Sequence, residues 1–302
     1  MKRFRAWWTT IWFEPIDPRP LSLFRVALGI LLIFSYAALA PNWNAYYGAD
    51  GILSLHDADL IGQRPPNDWW CLFTWTEGWL PIRVYWWVGL LAALAFTAGC
   101  YTRTATWALY LIQTSIGHRT WVVVNGEDSM FRWMLLFAGF MTLDARYSLQ
   151  RWWTARRRGK IPPAPTAASA WPVRMAQLNV AAIYLFSVWD KLWDPGGYWV
   201  RGEAVYYSLT TKLWGGSWPW LRWFYGNTGI LLNHLATYGS LAIEVAFPLL
   251  VWWRRTRLPI LLAATALHLT LAALIPGIRF FNLALMCTFL LFLPVDPPAV
   301  RK

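Results

Sequence analysis

Apolar runs of membrane length, divided by short polar or basic segments, recur along the chain from Leu21 to Pro294. A helix crosses a bilayer with about 20 apolar residues and satisfies its own backbone groups as it does so. Eight runs read as such helices, at roughly 21–40, 82–100, 103–118, 129–146, 173–193, 229–252, 258–275 and 279–294. Long polar segments, 41–79 and 194–228, follow the first and fifth spans, and a tight turn at Tyr101–Arg103 joins the second to the third. A basic, Pro/Ala-rich stretch from Arg151 to Pro172 precedes the fifth. Ahead of them all, Arg3–Phe13 mixes basic and aromatic residues; it is too short and too charged to span and reads as a helix lying in the membrane interface. Pro15, Pro18 and Pro20 then break the chain. The pattern predicts an all-α, polytopic membrane helix bundle of about eight transmembrane helices with both termini cytoplasmic. An interfacial segment covers 1–18, the transmembrane domain 19–295 and a cytoplasmic tail 296–302.

Composition agrees. Of 302 residues, 57% are hydrophobic and 14% charged, whereas soluble domains carry about 25% charged residues. The 25 Trp residues include pairs near span ends, such as Trp86-Trp87, Trp152-Trp153 and Trp252-Trp253, where indoles gather at membrane–water interfaces. The net charge of +12 sits in short clusters between apolar runs, so it sets topology and faces membrane lipids rather than nucleic acid. Most of the 27 basic residues fall on one side of an alternating topology, with the largest clusters at Arg151–Lys160 and Arg254–Arg257. That side is cytoplasmic by the positive-inside rule, as for a multi-pass protein of a bacterial inner membrane. Cys71, Cys100 and Cys287 show neither CxxC nor metal-ligand spacing, which predicts no disulfide and no metal site. No cleavable signal peptide is read at the N-terminus, so the first span is expected to stay as an anchor.

Ionisable groups inside spans cost about 2.5–3.5 kcal/mol each and are paired, water-lined or functional. Here they are Arg25, Arg132, Asp144, Asp190, Lys191, His234, Glu244 and His268. Asp128 and Arg132, four apart, read as a structural polar pair on one helix face. Asp144 reads as interfacial. Arg25 reads either as snorkelling to the surface or as part of a cavity. Gln177, Tyr184 and Lys191 recur every seven residues, so they share one face of the fifth span. Lys191 either anchors the outer end of that helix or serves a site; Asp190, beside it, points about 100° away. The three are expected to line one cavity with His268 and Glu244.

The stretch Gln177…Tyr184…Val188-Trp189-Asp190-Lys191-Leu192…Trp199-x-x-Gly202-x-Ala204 resembles the vitamin K-dependent γ-carboxylase superfamily, in its bacterial branch of horizontally transferred transmembrane (HTTM) domain proteins. Asp17-Pro18-Arg19-Pro20-Leu21-Ser22-Leu23-Phe24-Arg25, the stretch Asn125–Asp144 and His268 resemble other family segments in the same order. The resemblance implies carboxylase- or epoxidase-like chemistry on a reduced quinone, vitamin K hydroquinone or menaquinol, with a peptide or protein as substrate. A lysine near the outer surface takes the quinol proton, and oxygen then generates the strong base that abstracts a glutamate γ-proton. Lys191 and His268 match the implied catalytic positions; Gln177, Tyr184, Arg25 and Glu244 are then the residues of the quinone cavity. Lysine is a base only when neutral, a form that an apolar cavity favours. Two other readings remain open: an accessory membrane protein that matures a secreted peptide with a partner protein, and a small-molecule or ion carrier using Glu244, His234 and His268 as a relay.

Reporter fusions check the topology. Fusions at Lys160 and Arg255 should report a cytoplasmic location, and fusions at Asp59 and Gly215 a periplasmic one; a periplasmic signal at Lys160 would refute the eight-span arrangement.

Overall fold

A computed structural model describes residues 2–54, 57, 70–76, 79–120, 123–159, 167–211 and 226–293. Asp59, Lys160, Gly215 and the expected 296–302 tail lie outside these residues. The helices are α1 (Lys2–Phe13), α2 (Arg19–Leu39), α3 (Trp43–Tyr47), α4 (Leu72–Trp75), α5 (Ile82–Ala98), α6 (Thr102–Arg119), α7 (Gly126–Ala138), α8 (Leu149–Arg158), α9 (Trp171–Leu192), α10 (Ala204–Thr210), α11 (Gly226–Leu250), α12 (Arg254–Leu274) and α13 (Arg279–Phe289). Among the described residues the only β-feature is an isolated bridge between Ile16 and Ala168. Among the described residues, three helices are long and apolar enough to cross a membrane: Arg19–Leu39, Gly229–Leu250 within α11, and Arg254–Leu274. Ile82–Ala98 and Pro276–Phe292 are shorter apolar helices. α6, α7 and α9 are too polar or too short for that standard. The expected interfacial segment is helical, with Phe4, Trp7 and Phe13 exposed.

The chain divides into two compact units, residues 1–176 with 295–302, and residues 177–294. In the first, α2 and α5 lie antiparallel at close approach. Gly29 of α2 faces Thr97 of α5, and Gly89 of α5 faces the Tyr36 ring of α2; a side chain at either glycine would collide, which is the small-residue packing that apolar helices use. The carbonyls at the end of α2 lack helical partners and are taken by α5 side chains: Trp86 Nε1 donates to Tyr36 O at 2.8 Å and Arg83 Nη1 to Ala40 O at 2.6 Å. At the start of α2, Asp17 accepts from the backbone N–H and the guanidinium of Arg19 at 2.8 and 2.6 Å. Burial opposes ionisation of Asp17, but the Arg19 hydrogen bonds and charge outweigh it and hold the carboxyl below its ordinary value.

Two expectations change here. The fourth span was expected to reach residue 146, but α7 stops at Ala138, and Gly139 packs against the Trp107 ring. The non-helical backbone beyond it is satisfied by buried side chains of α2: Ser22 Oγ accepts from Arg146 N at 3.1 Å, and Arg25 Nη2 donates to Tyr147 O at 2.7 Å. Asp128 makes no close ion pair with Arg132, although the Arg132 charge acts on its carboxylate; its hydrogen bonds go elsewhere. It is the third residue of α7, where a side chain turns back to cap the helix start. Its Oδ2 accepts from Asn125 N at 3.0 Å and its Oδ1 from Gln113 Nε2 at 3.1 Å. The long segment after the first span is held by polar side chains where it is described. Arg119 at the end of α6 donates to Leu53 O at 2.9 Å and Gly48 O at 2.6 Å, and Thr120 Oγ1 to Tyr46 O at 2.6 Å.

α5 ends in a left-handed stop at Gly99 (φ 72°), with Cys100 N donating to Ala95 O at 2.9 Å. A Cβ at Gly99 would collide with the Arg25 guanidinium. Gly99→Ala should cost at least about 1–2 kcal/mol for the backbone alone, read as a lower thermal unfolding midpoint in detergent; an unchanged midpoint would refute this constraint.

Candidate functional site

In the second unit, Tyr184, Ser187 and Lys191 lie within two turns on one face of α9, as helical spacing requires. Tyr184 and His268 of α12 are both buried, and the Tyr184 hydroxyl lies 2.6 Å from His268 Nε2. His268 Nδ1 lies 2.6 Å from Asn282 Oδ1 of α13. The tautomer follows from the amide. Asn282 Nδ2 donates to the Ile278 carbonyl at 2.8 Å, so its Oδ1 faces the imidazole and can only accept. His268 therefore carries hydrogen on Nδ1, its Nε2 offers a lone pair, and Tyr184 is the donor. Phe247 of α11 stacks on Tyr184 with ring centroids 4.2 Å apart, and Phe289 lies 5.9 Å from the imidazole. These rings exclude water from the chain of hydrogen bonds.

Two turns beyond Tyr184, the Lys191 ammonium donates to both carboxylate oxygens of Glu244 on α11. Ser187 Oγ donates to Glu244 Oε2 at 3.3 Å. The Glu244 side chain is 7% exposed and that of Lys191 18%. Lys191 Nζ also stands 4.4 Å from the centre of the Trp199 ring, a cation–π contact. Asp190 is exposed and takes no part, as its angular offset on the helix requires.

The pair does not sit where the ends of two spans coincide. Lys191 is one residue from the end of α9, whereas Glu244 is 18 residues into α11. About 27 Å of α11 thus precedes the pair, at 1.5 Å per residue. The segment after α9 runs along this part of α11: Tyr238 Oη donates to Val200 O at 2.8 Å, Val205 N donates to Thr237 Oγ1 at 3.2 Å, and Gly202 lies against His234 and Tyr238. Trp199 is held over Lys191 by this docking.

The expected cavity residues separate into distinct roles. Tyr184, Lys191, His268 and Glu244 come together as two neighbouring polar clusters. Gln177 donates instead to the Leu291 carbonyl at 2.8 Å, closing a backbone group left open in the 3₁₀ turn Leu290–Phe292. Arg25 belongs to the first unit and is fully buried, so it does not snorkel. It holds the Tyr147 carbonyl, with Asp144 as countercharge. His234 and Glu244 are ten residues apart on α11, about 15 Å along its axis. Among the described residues, no group of three or more His, Cys, Asp or Glu side chains is placed to hold a metal ion. Sequence reasoning missed Ser187 and Asn282. Ser187 is four residues before Lys191 and so on its face; Asn282 gave no signal to a search for ionisable groups.

Comparison with protein-family models, curated proteins and solved structures finds no match to this chain.

Breaking a buried ion pair from one side strands the other charge, at a cost of about 3–5 kcal/mol, whereas replacing both partners by apolar residues is often neutral. Lys191→Met and Glu244→Leu should each lower the thermal unfolding midpoint in detergent, and the double variant should recover most of the loss. Additive losses in the double variant would show that the two side chains do not interact.

Proposed function

We propose that the chain is an eight-span membrane protein, N- and C-termini cytoplasmic, whose second unit carries out proton-coupled chemistry on a reduced quinone drawn from the lipid. The carrying observation is the Lys191–Glu244 pair under the Trp199 ring. The resemblance of this region to the vitamin K-dependent γ-carboxylase superfamily supplies the substrate class: vitamin K hydroquinone or menaquinol.

The donor set fits such a group. A quinol needs an aromatic wall for its ring and a proton acceptor for its hydroxyl; Trp199 supplies the first and the pair the second. A bound quinol would supply reducing electrons and an ionisable hydroxyl. Glu244, held by Lys191 and Ser187, can take a proton across the Lys191 hydrogen bond, which leaves the lysine amine neutral and able to accept one in turn. Trp199 covers the ammonium and limits its exchange with water. Tyr184, fixed by His268 and by the Phe247 ring, lies two turns away on the same helix face. A peptide or partner protein would supply the group finally modified.

An accessory role in maturing a secreted peptide is the second reading, and one feature favours it: the pair is closed, and a closed pair also serves as a structural clasp. Lys191→Arg separates the two. Arginine keeps the ion pair and the cation–π contact but does not release its proton at neutral pH. Purified protein given menaquinol or vitamin K hydroquinone and oxygen should form quinone or epoxide, measured by mass spectrometry. Lys191→Arg should lose about 100-fold or more of that rate, the range for loss of a general base, with its unfolding midpoint retained. Absence of turnover in the wild type, or an arginine variant as active as the wild type, would overturn the catalytic reading.

A further inference from the structure

The first unit holds a second feature with its own chemistry. α8 carries five basic or aromatic side chains in its last seven residues, namely Trp152, Trp153, Arg156, Arg157 and Arg158, and has no acidic residue. None of its residues is buried. Its N-terminal end is tied to the turn between α5 and α6: Ser148 Oγ donates to Gly99 O at 2.7 Å and caps Arg151 N at 3.2 Å, while Tyr101 N donates to Gln150 Oε1 at 2.7 Å. Between this turn and the helix lies a cavity of about 610 Å³, lined among others by Tyr101, Leu149, Gln150, Trp153, Arg157 and Arg158. The lining positions recur as adjacent pairs every four residues, which is one face of α8. Arg157 lies over the Trp153 ring at 4.9 Å and Arg156 over Trp152 at 5.4 Å. The first couple lines the cavity; the second does not.

We propose that this cavity is a seat for one anionic phospholipid of the two-chain, phosphodiester type. The charge is complementary: Arg157 and Arg158 present guanidinium forks, which match phosphate oxygens in pairs, and no carboxylate lines the cavity. The wall suits a lipid rather than free phosphate, because Leu149, Trp153 and Tyr101 offer apolar surface beside the cations. Exposure of Tyr101 and Trp153, 74% and 50%, places amphipathic rings where acyl chains meet headgroups. The adjoining helices α2 and α5 are apolar, so a lipid reaches this cavity from the bilayer it already occupies. The inference needs only insertion of those helices and is independent of the chemistry proposed at Lys191.

Native mass spectrometry of the full chain in detergent, titrated with phosphatidylglycerol or phosphatidylcholine, tests it. The wild type should retain phosphatidylglycerol in preference to phosphatidylcholine. Arg157→Gln with Arg158→Gln should reduce that retention about tenfold, in keeping with the contribution of surface arginines to anionic-lipid binding. Arg157→Gln alone, which removes one charge from the cavity, should lower it clearly, whereas Arg156→Gln, which removes one charge from outside the cavity, should change it little, as should inorganic phosphate as a competitor. Both substitutions are at exposed positions, and equal unfolding midpoints without lipid control for folding. Equal losses in Arg156→Gln and Arg157→Gln would mean diffuse attraction to a basic helix and would overturn the site. Displacement by inorganic phosphate, or equal retention of phosphatidylcholine, would overturn it as well.

Discussion

Lys191 and Glu244 are largely buried side chains on α9 and α11, so each is tolerable there only with the other. A charge in such surroundings costs several kcal/mol when unpaired, and this fixes the register of α9 against α11. With Lys191 at Glu244, the next turn of α11 brings Phe247 onto the Tyr184 ring. The stacked ring sets the direction of the phenol, and the phenol meets His268 of α12. Asn282 of α13 completes the series. Four helices are thereby keyed to one another by a handful of polar contacts. Apolar side chains alone would allow many nearly equal registers, since sliding one apolar face along another changes little; a buried pair does not permit that.

Backbone satisfaction imposes the same discipline elsewhere. The last carbonyls of a helix have no partner within it, and here arginine repeatedly supplies one. Arg83 serves the end of α2, Arg257 donates to Val251 O and Trp252 O after α11, and Arg279 donates to Ala272 O at the end of α12. Arg25 and Arg119 do the same for irregular backbone. A guanidinium is suited to this work because its five donors spread over a rigid fork and its charge draws carbonyl oxygens. The basic residues thus divide into those that orient the chain, those that cap it, and the exposed cluster on α8.

This division explains what was legible in the sequence. The apolar period located α2, α5, α6, α9, α11, α12 and α13 to within a few residues, because a long run with apolar residues at helical spacing buries one face and satisfies its own backbone only as a helix. The end of α7 was misplaced because Gly139 and the Ser22 and Arg25 contacts lie far apart in the chain. The short helices α3, α4, α8 and α10 were hidden in segments that looked like loops, since helices of that length owe their existence to docking rather than propensity. At the site, the seven-residue spacing of Gln177, Tyr184 and Lys191 correctly gave a shared face. It gave no depth and no partner, and so it joined Gln177 to a cluster from which the structure separates it. Arg25 looked functional because a buried charge usually is; its partner, a carbonyl, leaves no mark in the sequence.

The two polar clusters also differ in what they can do with a proton. From Tyr184 through His268 and Asn282 to the Ile278 carbonyl, every hydrogen bond points the same way. Moving a proton along it would require each bond to reverse, and the Asn282 amide cannot reverse, because its NH₂ is held by a carbonyl that only accepts. The chain is closed at that end, so His268 orients the Tyr184 hydroxyl rather than conducting protons. The Lys191–Glu244 contact is not closed by an amide: the ammonium donates to both carboxylate oxygens of a group that only accepts from it and from Ser187. The proton-coupled step proposed for this unit therefore belongs at the end of α9, beside Trp199, and the histidine cluster two turns away holds the frame around it.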